Sequence, residues 1–389
     1  MDMRSFQHMT PPLRLYGGDD SLKQLGRELD RLKSRRAVIF CGSTLARGPL
    51  LELVRSAMGE RCAGVFSGVR AHSPHPSVQA AAEELKRLDA DAVVAVGGGS
   101  AIVTARAASI YLAEGSDLEK ISTSQDAQGN LHSPKLLAAK IPQLIVPTTP
   151  TTAAVKAGTA VFDPAAAKRF ALFDPKTRAQ SLFIHPALIS SAPRDLVVSA
   201  SLDTLTLAIE GLISRAGDPI ADALLMHAVR LLARNLPDPA LDDDATVRGQ
   251  LVLAAVLCGQ GTDHTGAGIA TVLGHAIGAN HHVDNGIVKA VLLPHGLRFN
   301  AEAAEAGLQK VATALGGVAT GRSTVEVVND ALARIFKATG IPGRLREVGI
   351  PKNALADIAR RGMGDWFLRS NARPIHGASD LESVLLEAW

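Results

Sequence analysis

Short apolar runs alternate with helical stripes along the first half of this chain. Residues 37–41 (AVIFC), 63–69 and 92–96 (AVVAV) each have the length of one buried strand, and 144–146 (LIV) ends at a polar turn, Pro147-Thr148-Thr149-Pro150. Between these runs, residues 21–33 and 77–89 read as helices. In the second of them Val78, Ala81, Ala82, Leu85 and Leu88 share one face. Strands alternating with helices predict a mainly parallel sheet. The polar stretch 122–133 (STSQDAQGNLHS) predicts a surface loop. From about Pro186 the pattern changes, and 195–215, 219–232, 247–258, 302–315, 325–339 and 354–361 all read as helices with few strand signals. The expected organisation is an α/β domain over residues 1–187 followed by an all-α domain over 188–389. The natural place for chemistry in such a pair is the cleft between them, with a cofactor on the sheet side.

Composition narrows the function classes. A chain of 389 residues is long enough for two domains. The formal net charge of +3 is small and scattered, and the densest basic cluster, Arg31 to Arg36, reads as a helix end before a strand, so no nucleic-acid partner is expected. Cys41, Cys62 and Cys258 lie far apart, with neither metal-ligand spacing nor a disulfide framework, which points to a reducing cytoplasm. Residues 1–12 are polar, and no strongly apolar stretch is read as reaching the ~18 residues of a membrane helix. The expectation is a cytoplasmic protein acting on a small molecule, with no membrane partner.

The most informative stretch is AVVAVGGGSAIVTARAA, from Ala92 to Ala108. A buried strand meets Gly97, Gly98, Gly99 and Ser100, and an Ala-rich helix follows. Glycines at a strand end let the backbone turn sharply and approach a ligand with no Cβ in the way. The N–H groups of the following helix start favour an anion there, usually a dinucleotide pyrophosphate. A Gly-rich strand-to-helix turn without bound phosphate is the alternative.

Several motifs now stand in order: the GGGS turn, Pro147-Thr148-Thr149, Leu202-Asp203 through Glu210, Asp218-Pro-Ile-Ala-Asp222 with Asn235-Leu-Pro, Gly274-His275 through Ala279, and Val291-Leu-Leu-Pro-His295 ending at Asn300. Asn371-Ala-Arg-Pro374 and Glu387-Ala-Trp389 close the series. With them, from about Leu13 to the end, the chain resembles the iron-containing (group III) alcohol dehydrogenases, and its finish looks most like their maleylacetate reductase branch. The resemblance implies a dehydroquinate synthase-like architecture: an α/β dinucleotide-binding domain with a mainly parallel sheet, an all-α C-terminal domain, hydride transfer from NAD or NADP, and a homodimer.

Departures from the family pattern carry as much information as the matches. Metal-dependent members hold a divalent ion with an Asp and three His. Asp203 matches the aspartate, but Leu207, Thr271 and Asn285 stand at the histidine positions. Leucine cannot ligate, and Thr and Asn are weak ligands for iron or zinc, so no metal is expected. A rebuilt site from Asp203, His275, His281 and His282 is the rescue alternative. Without a metal, a protonated side chain or fixed donor must take the developing alkoxide charge. His275 is the first candidate proton donor, against a core histidine capped by a carbonyl. His282 is the second, against an exposed loop pair with His281. Lys156 could bind a carboxylate or act as an acid, or simply reach solvent. Lys289, where many relatives have Asn, is a weaker candidate. Asp203 would orient a histidine or hold a water, or be an ordinary helix carboxylate.

On the cofactor side, Val103 and Arg106 replace the Asp and Lys of metal-dependent relatives, and Pro150 to Val155 replaces their glycine-rich loop. Thr149 and Thr152, with Thr148, still offer hydroxyls to phosphate or ribose. Gly42 and Ser43 stand after the AVIFC strand, where an acidic residue would exclude NADP, so either nicotinamide nucleotide is expected. The reading is a metal-independent NAD(P)H-dependent reductase of a small anionic carbonyl or enone. The alternatives are a metal-dependent alcohol dehydrogenase with a rearranged site and a non-catalytic binding protein.

Overall fold

The structure, a computed structural model, describes residues 5–389 apart from 127–129, 167, 279–280, 282 and 318–320. The chain forms two compact units. One is Pro11–Ala192; the other is Pro193–Trp389 together with the described residues before Pro11. The break falls at Pro193, which opens the long helix Arg194–Ile213, slightly beyond the 187/188 position read from the sequence.

The α/β unit contains β1 (Arg14–Gly17), β2 (Ala37–Phe40), β3 (Cys62–Phe66), β4 (Ala92–Gly97), β5 (Ser124–Gln125), β6 (Leu131–His132), β7 (Gln143–Pro147), β8 (Gly158–Asp163), β9 (Lys168–Phe173) and β10 (Ser181–Ile184). Six of them form one sheet in the order β1-β10-β7-β4-β2-β3, and every pairing in it is parallel. Central β2, β4 and β7 are buried throughout except Gly97, which explains their near-continuous apolar sequences. Edge strand β1 is largely exposed and carries no such run. On one face Ile39, Val94, Val96, Leu144 and Phe183 pack on Leu25, Leu29, Leu51, Val54 and Met58. The loop expected at 122–133 holds a small antiparallel pair, β5 with β6, and a second pair joins β8 to β9.

The helical unit is built on Arg194–Ile213, Pro219–Asn235, Ala245–Thr265, Ile269–Gly278, Asn285–Asn300, Glu305–Ala314, Thr324–Thr339, Leu355–Gly362 and Ala378–Ala388. The first of these is long and apolar enough to cross a membrane, which corrects the expectation that no such stretch exists. Most of it is buried inside the protein, and a helix covered on nearly all sides needs no polar stripe. It packs against Asn285–Asn300 at Gly286, where a side chain would collide with the Ser199 carbonyl.

The segment before Pro11 joins this unit through three side chains. His8 Nδ1 lies 3.1 and 3.0 Å from the two oxygens of Asp218, and its ring stacks on His264 with centroids 3.9 Å apart at 23°. Asp218 also caps Pro219–Asn235, accepting from Ile220 N at 2.9 Å and Ala221 N at 3.0 Å. Among the described residues these three form the one group of His, Cys, Asp or Glu close enough together to hold an ion. Rings stacked face to face 3.9 Å apart keep their in-plane lone pairs in separate planes that do not converge on one ion, so the group is a tether. Burial would raise the Asp218 carboxyl, but the bonds from His8 and the helix N–H groups hold it below 3.8. Its contribution is therefore present above pH 3.8 and lost as pH falls through the lower folded value. Asp218→Ala is expected to cost about 1–2 kcal/mol, or roughly 3–6 °C in Tm at neutral pH. The gap should narrow in thermal scans as pH falls below 3.8; a gap unchanged with pH would contradict this assignment.

Candidate active site

In the α/β unit the chain runs from β2 outward to β3, returns across β2 to β4, and continues the other way to β7. The order therefore reverses between β2 and β4, and ligands of open α/β sheets bind beyond the strand ends at such a point. Gly42 and Ser43 follow β2 there, and Gly97 closes β4 in register with Pro147 of β7. Gly97 has φ +145°, a conformation L side chains rarely adopt, and its carbonyl accepts Thr148 N at 3.0 Å. Gly98 is the N-cap of Gly99–Glu114, with extended backbone and no side-chain cap. A Cβ on Gly98 would lie 2.9 Å from Thr149 Oγ1, and one on Gly99 3.3 Å from Thr151 Oγ1. The polar turn after β7 thus lies across the glycines. Ser100, Thr148 and Thr152 are half-buried and Thr149 is buried. The helix start leaves its first N–H groups without intrahelical partners. The structure so brings Gly97, Gly98, Gly99, Ser100, Thr148 and Thr149 together at one turn.

Sequence reasoning left the shape of the loop after Thr149 open. It forms a short turn, Thr152–Ala154, capped by Thr151 Oγ1. Arg106, fully buried, donates to Ala153 O at 2.6 Å and Gly158 O at 2.7 Å, so the family's lysine position carries a clamp on this loop. Lys156 follows the turn, half-buried. Ser73 was not anticipated: His72 and Ser73 both take positive φ, and Ser73 Oγ donates to Ser100 O at 3.2 Å. Nothing in the sequence besides the following Pro74 signals that turn.

In the helical unit, Asp203 and Leu207 lie one turn apart and are half-exposed on a helix otherwise buried around them. Glu210 continues that face. Its fully buried carboxylate accepts Gly268 N at 3.0 Å and Ala270 N at 2.7 Å, with Thr271 N at 3.3 Å. Burial pushes its carboxyl above 4.5, against the pull of those N–H groups and of the Lys289 charge. Asn371 Oδ1 accepts Ile269 N at 3.2 Å and is tied to Asn300, so these motif residues seat the start of Ile269–Gly278. That helix carries Thr271, Gly274 and His275.

His275 is partly exposed, and its Nδ1 lies 2.8 Å from Asp365 Oδ2. Asp365 also accepts Phe367 N, so a carboxylate, not a carbonyl, holds the imidazole. No sequence signal pointed to Asp365. His282 lies outside the described residues. Lys289 changes the picture most. Its side chain is 3% exposed, and Nζ donates to Asp203 Oδ1 at 2.6 Å. Leu207, Thr271 and Asn285 occupy the three positions where the resemblance places histidines.

Comparison with known proteins gives a consistent picture. Residues 12–186 match the family model described as iron-containing alcohol dehydrogenase, and 197–389 match that of the Fe-containing alcohol dehydrogenase family, C-terminal. The chain is 28% identical to the lactaldehyde reductase of Escherichia coli (strain K12) over 383 residues, covering 96% of this chain and 97% of that one. It is 26% identical to a maleylacetate reductase of Sphingobium indicum over 371 residues, covering 94% and 92%. The crystal structure of sulfoacetaldehyde reductase from Bifidobacterium kashiwanohense in complex with NAD+ superposes with a TM-score of 0.86 at 19% identity, covering 99% of each chain.

Proposed function

Since the chain belongs to the iron-containing alcohol dehydrogenase family, an oxidoreductase family whose members bind NAD(H), we propose that it is an NAD(P)H-dependent reductase working without a metal ion on a small anionic carbonyl or enone. The observation that carries this reading is the occupant of the aspartate. A divalent ion needs several converging imidazole, thiolate or carboxylate ligands. Here Leu207 has no donor atom, and Lys289 already places a cation 2.6 Å from Asp203. Among the described residues no His, Cys, Asp or Glu group suited to an ion forms around Asp203. The residues present do not fit iron.

The charge of the pair supports the substrate class. An ammonium and a carboxylate are formally neutral together, whereas a divalent ion on one carboxylate leaves a net positive charge. With less positive charge at the site than a divalent ion supplies, the acceptor favoured is one that also spreads the incoming charge, as a conjugated oxo-acid such as maleylacetate does. When bound, the dinucleotide supplies the hydride. The turn of Gly97, Gly98, Gly99 and Ser100 with Thr148, Thr149 and Thr152 binds its pyrophosphate and ribose, and Gly42 and Ser43 leave room for NAD or NADP. His275, oriented by Asp365, returns the proton, and Lys156 binds a substrate carboxylate.

The test is reduction of maleylacetate by NADH and by NADPH, before and after exhaustive chelation, with metal content measured on the same samples. Full activity in metal-free protein is expected. Activity that disappears with chelator and returns with iron or zinc would overturn the reading.

A further inference from the structure

Lys289 is built into its position from three sides. Its stem leaves Asn285–Asn300 and crosses Ile269–Gly278 at Gly274, where a Cβ would lie 2.5 Å from Lys289 Cγ and 3.0 Å from Cε. Glycine at 274 is what leaves the stem its channel. The stem is buried and the ammonium ends on Asp203, which is 32% exposed, so the pair is shielded along the lysine and open at the carboxylate. A buried ion pair is a weak source of stability, since apolar residues of similar volume often serve as well or better. An ammonium has three N–H donors, and Lys289 spends one on Asp203, so the others can serve an oxygen that reaches it past the open edge of that carboxylate.

We infer that Lys289 is the fixed cation of the carbonyl-reducing site, standing where Asp203 would otherwise help hold a divalent ion, and that its ammonium donates to the oxygen on which charge develops. This rests on the metal-free reading above. With a hydride supplied by bound NAD(P)H, conjugate addition would form the new C–H bond at the far alkene carbon, shift the alkene π pair to the neighbouring bond and move the carbonyl π pair to oxygen as an enolate. Lys289 would hold that enolate oxygen while the adjacent carbon takes a proton from the His275 imidazole, which is recharged from solvent. Lys289 is thus a catalytic residue and Asp203 a positioning residue.

Four purified variants test the assignment. Lys289→Met should lower kcat for maleylacetate about 100-fold with nucleotide affinity unchanged, the usual scale for losing one oxyanion donor. Asp203→Asn/Lys289→Met leaves no unpaired charge, so it separates misfolding from lost chemistry, and the same fall in kcat is expected. A Leu207→His/Thr271→His/Asn285→His variant should retain no zinc after dialysis, because the ammonium still fills the ion's place. Adding Lys289→Asn to those three should let it retain about one zinc per chain. The inference is overturned if either methionine variant keeps kcat within about threefold of the unmodified protein. It is also overturned if zinc is retained with Lys289 in place, or if the folded fourfold variant holds none. Tightly held iron or zinc in the unmodified protein would instead remove the metal-free reading beneath it.

Discussion

Valine at Gly98 is expected to abolish dinucleotide binding while leaving the α/β unit folded. Gly98 has φ −83° and ψ −165°, which any L residue adopts, so the substitution brings no backbone strain. The obstacle is steric. Its Cβ would press within 2.9 Å of Thr149 Oγ1, so a β-branched side chain would wedge the Thr149 turn away from the glycines it lies across. Gly97 is the less informative target, because φ +145° makes any side chain there strained whether or not a nucleotide binds. For Gly98→Val, Kd for both NADH and NADPH should rise at least about 1,000-fold, some 4 kcal/mol, as followed by nucleotide fluorescence. Tm should fall by about 2–12 °C, since one side-chain contact must shift at a cost of about 1–3 kcal/mol. Affinity unaltered by valine would mean that this turn faces something other than a pyrophosphate.

What the sequence disclosed follows from how each element is buried. β2, β4 and β7 are covered on both faces, so they appear as unbroken apolar runs, while exposed β1 leaves no such trace. Pro219–Asn235 and Thr324–Thr339 keep a polar face and read as helices. Ile269–Gly278 and Asn285–Asn300 are buried nearly all round, the second with Pro294 inside it, so periodicity passes them over. They carry much of the carbonyl-side site. Asp203 and the three replaced histidines were legible because a motif marks their positions. Lys289 reads as only a weaker candidate from the sequence, since its meaning depends on Gly274 of another helix and on the carboxylate of a third. Asp365 and Ser73 act through distant partners and have no local signature. Glu210, Asn300 and Asn371 were visible as motif residues, but their bonds show them seating a helix.

That seating makes Glu210→Ala the substitution expected to cost the most stability. Its carboxylate accepts Gly268 N, Ala270 N and Thr271 N at the start of Ile269–Gly278, in a place water does not reach. Alanine strands those donors, and an unsatisfied buried donor costs on the order of 1–3 kcal/mol. Asn371 covers only Ile269 N, so it cannot take over the others. The expected loss is about 4 kcal/mol, or roughly 8–16 °C in Tm for a unit of this size. Glu210→Gln keeps one accepting oxygen but turns its NH2 onto either Gly268 N or Ala270 N, so it should recover only part of the loss. Because Thr271, Gly274 and His275 all ride on the helix that Glu210 seats, the alanine variant should also lose kcat below its melting range while nucleotide affinity in the other unit is unchanged. Thermal unfolding of the two variants beside the unmodified protein decides it. A fall of under about 3 °C for alanine would show that the helix start finds its partners elsewhere, and Lys289 would then need another account of how the floor beneath its stem is held.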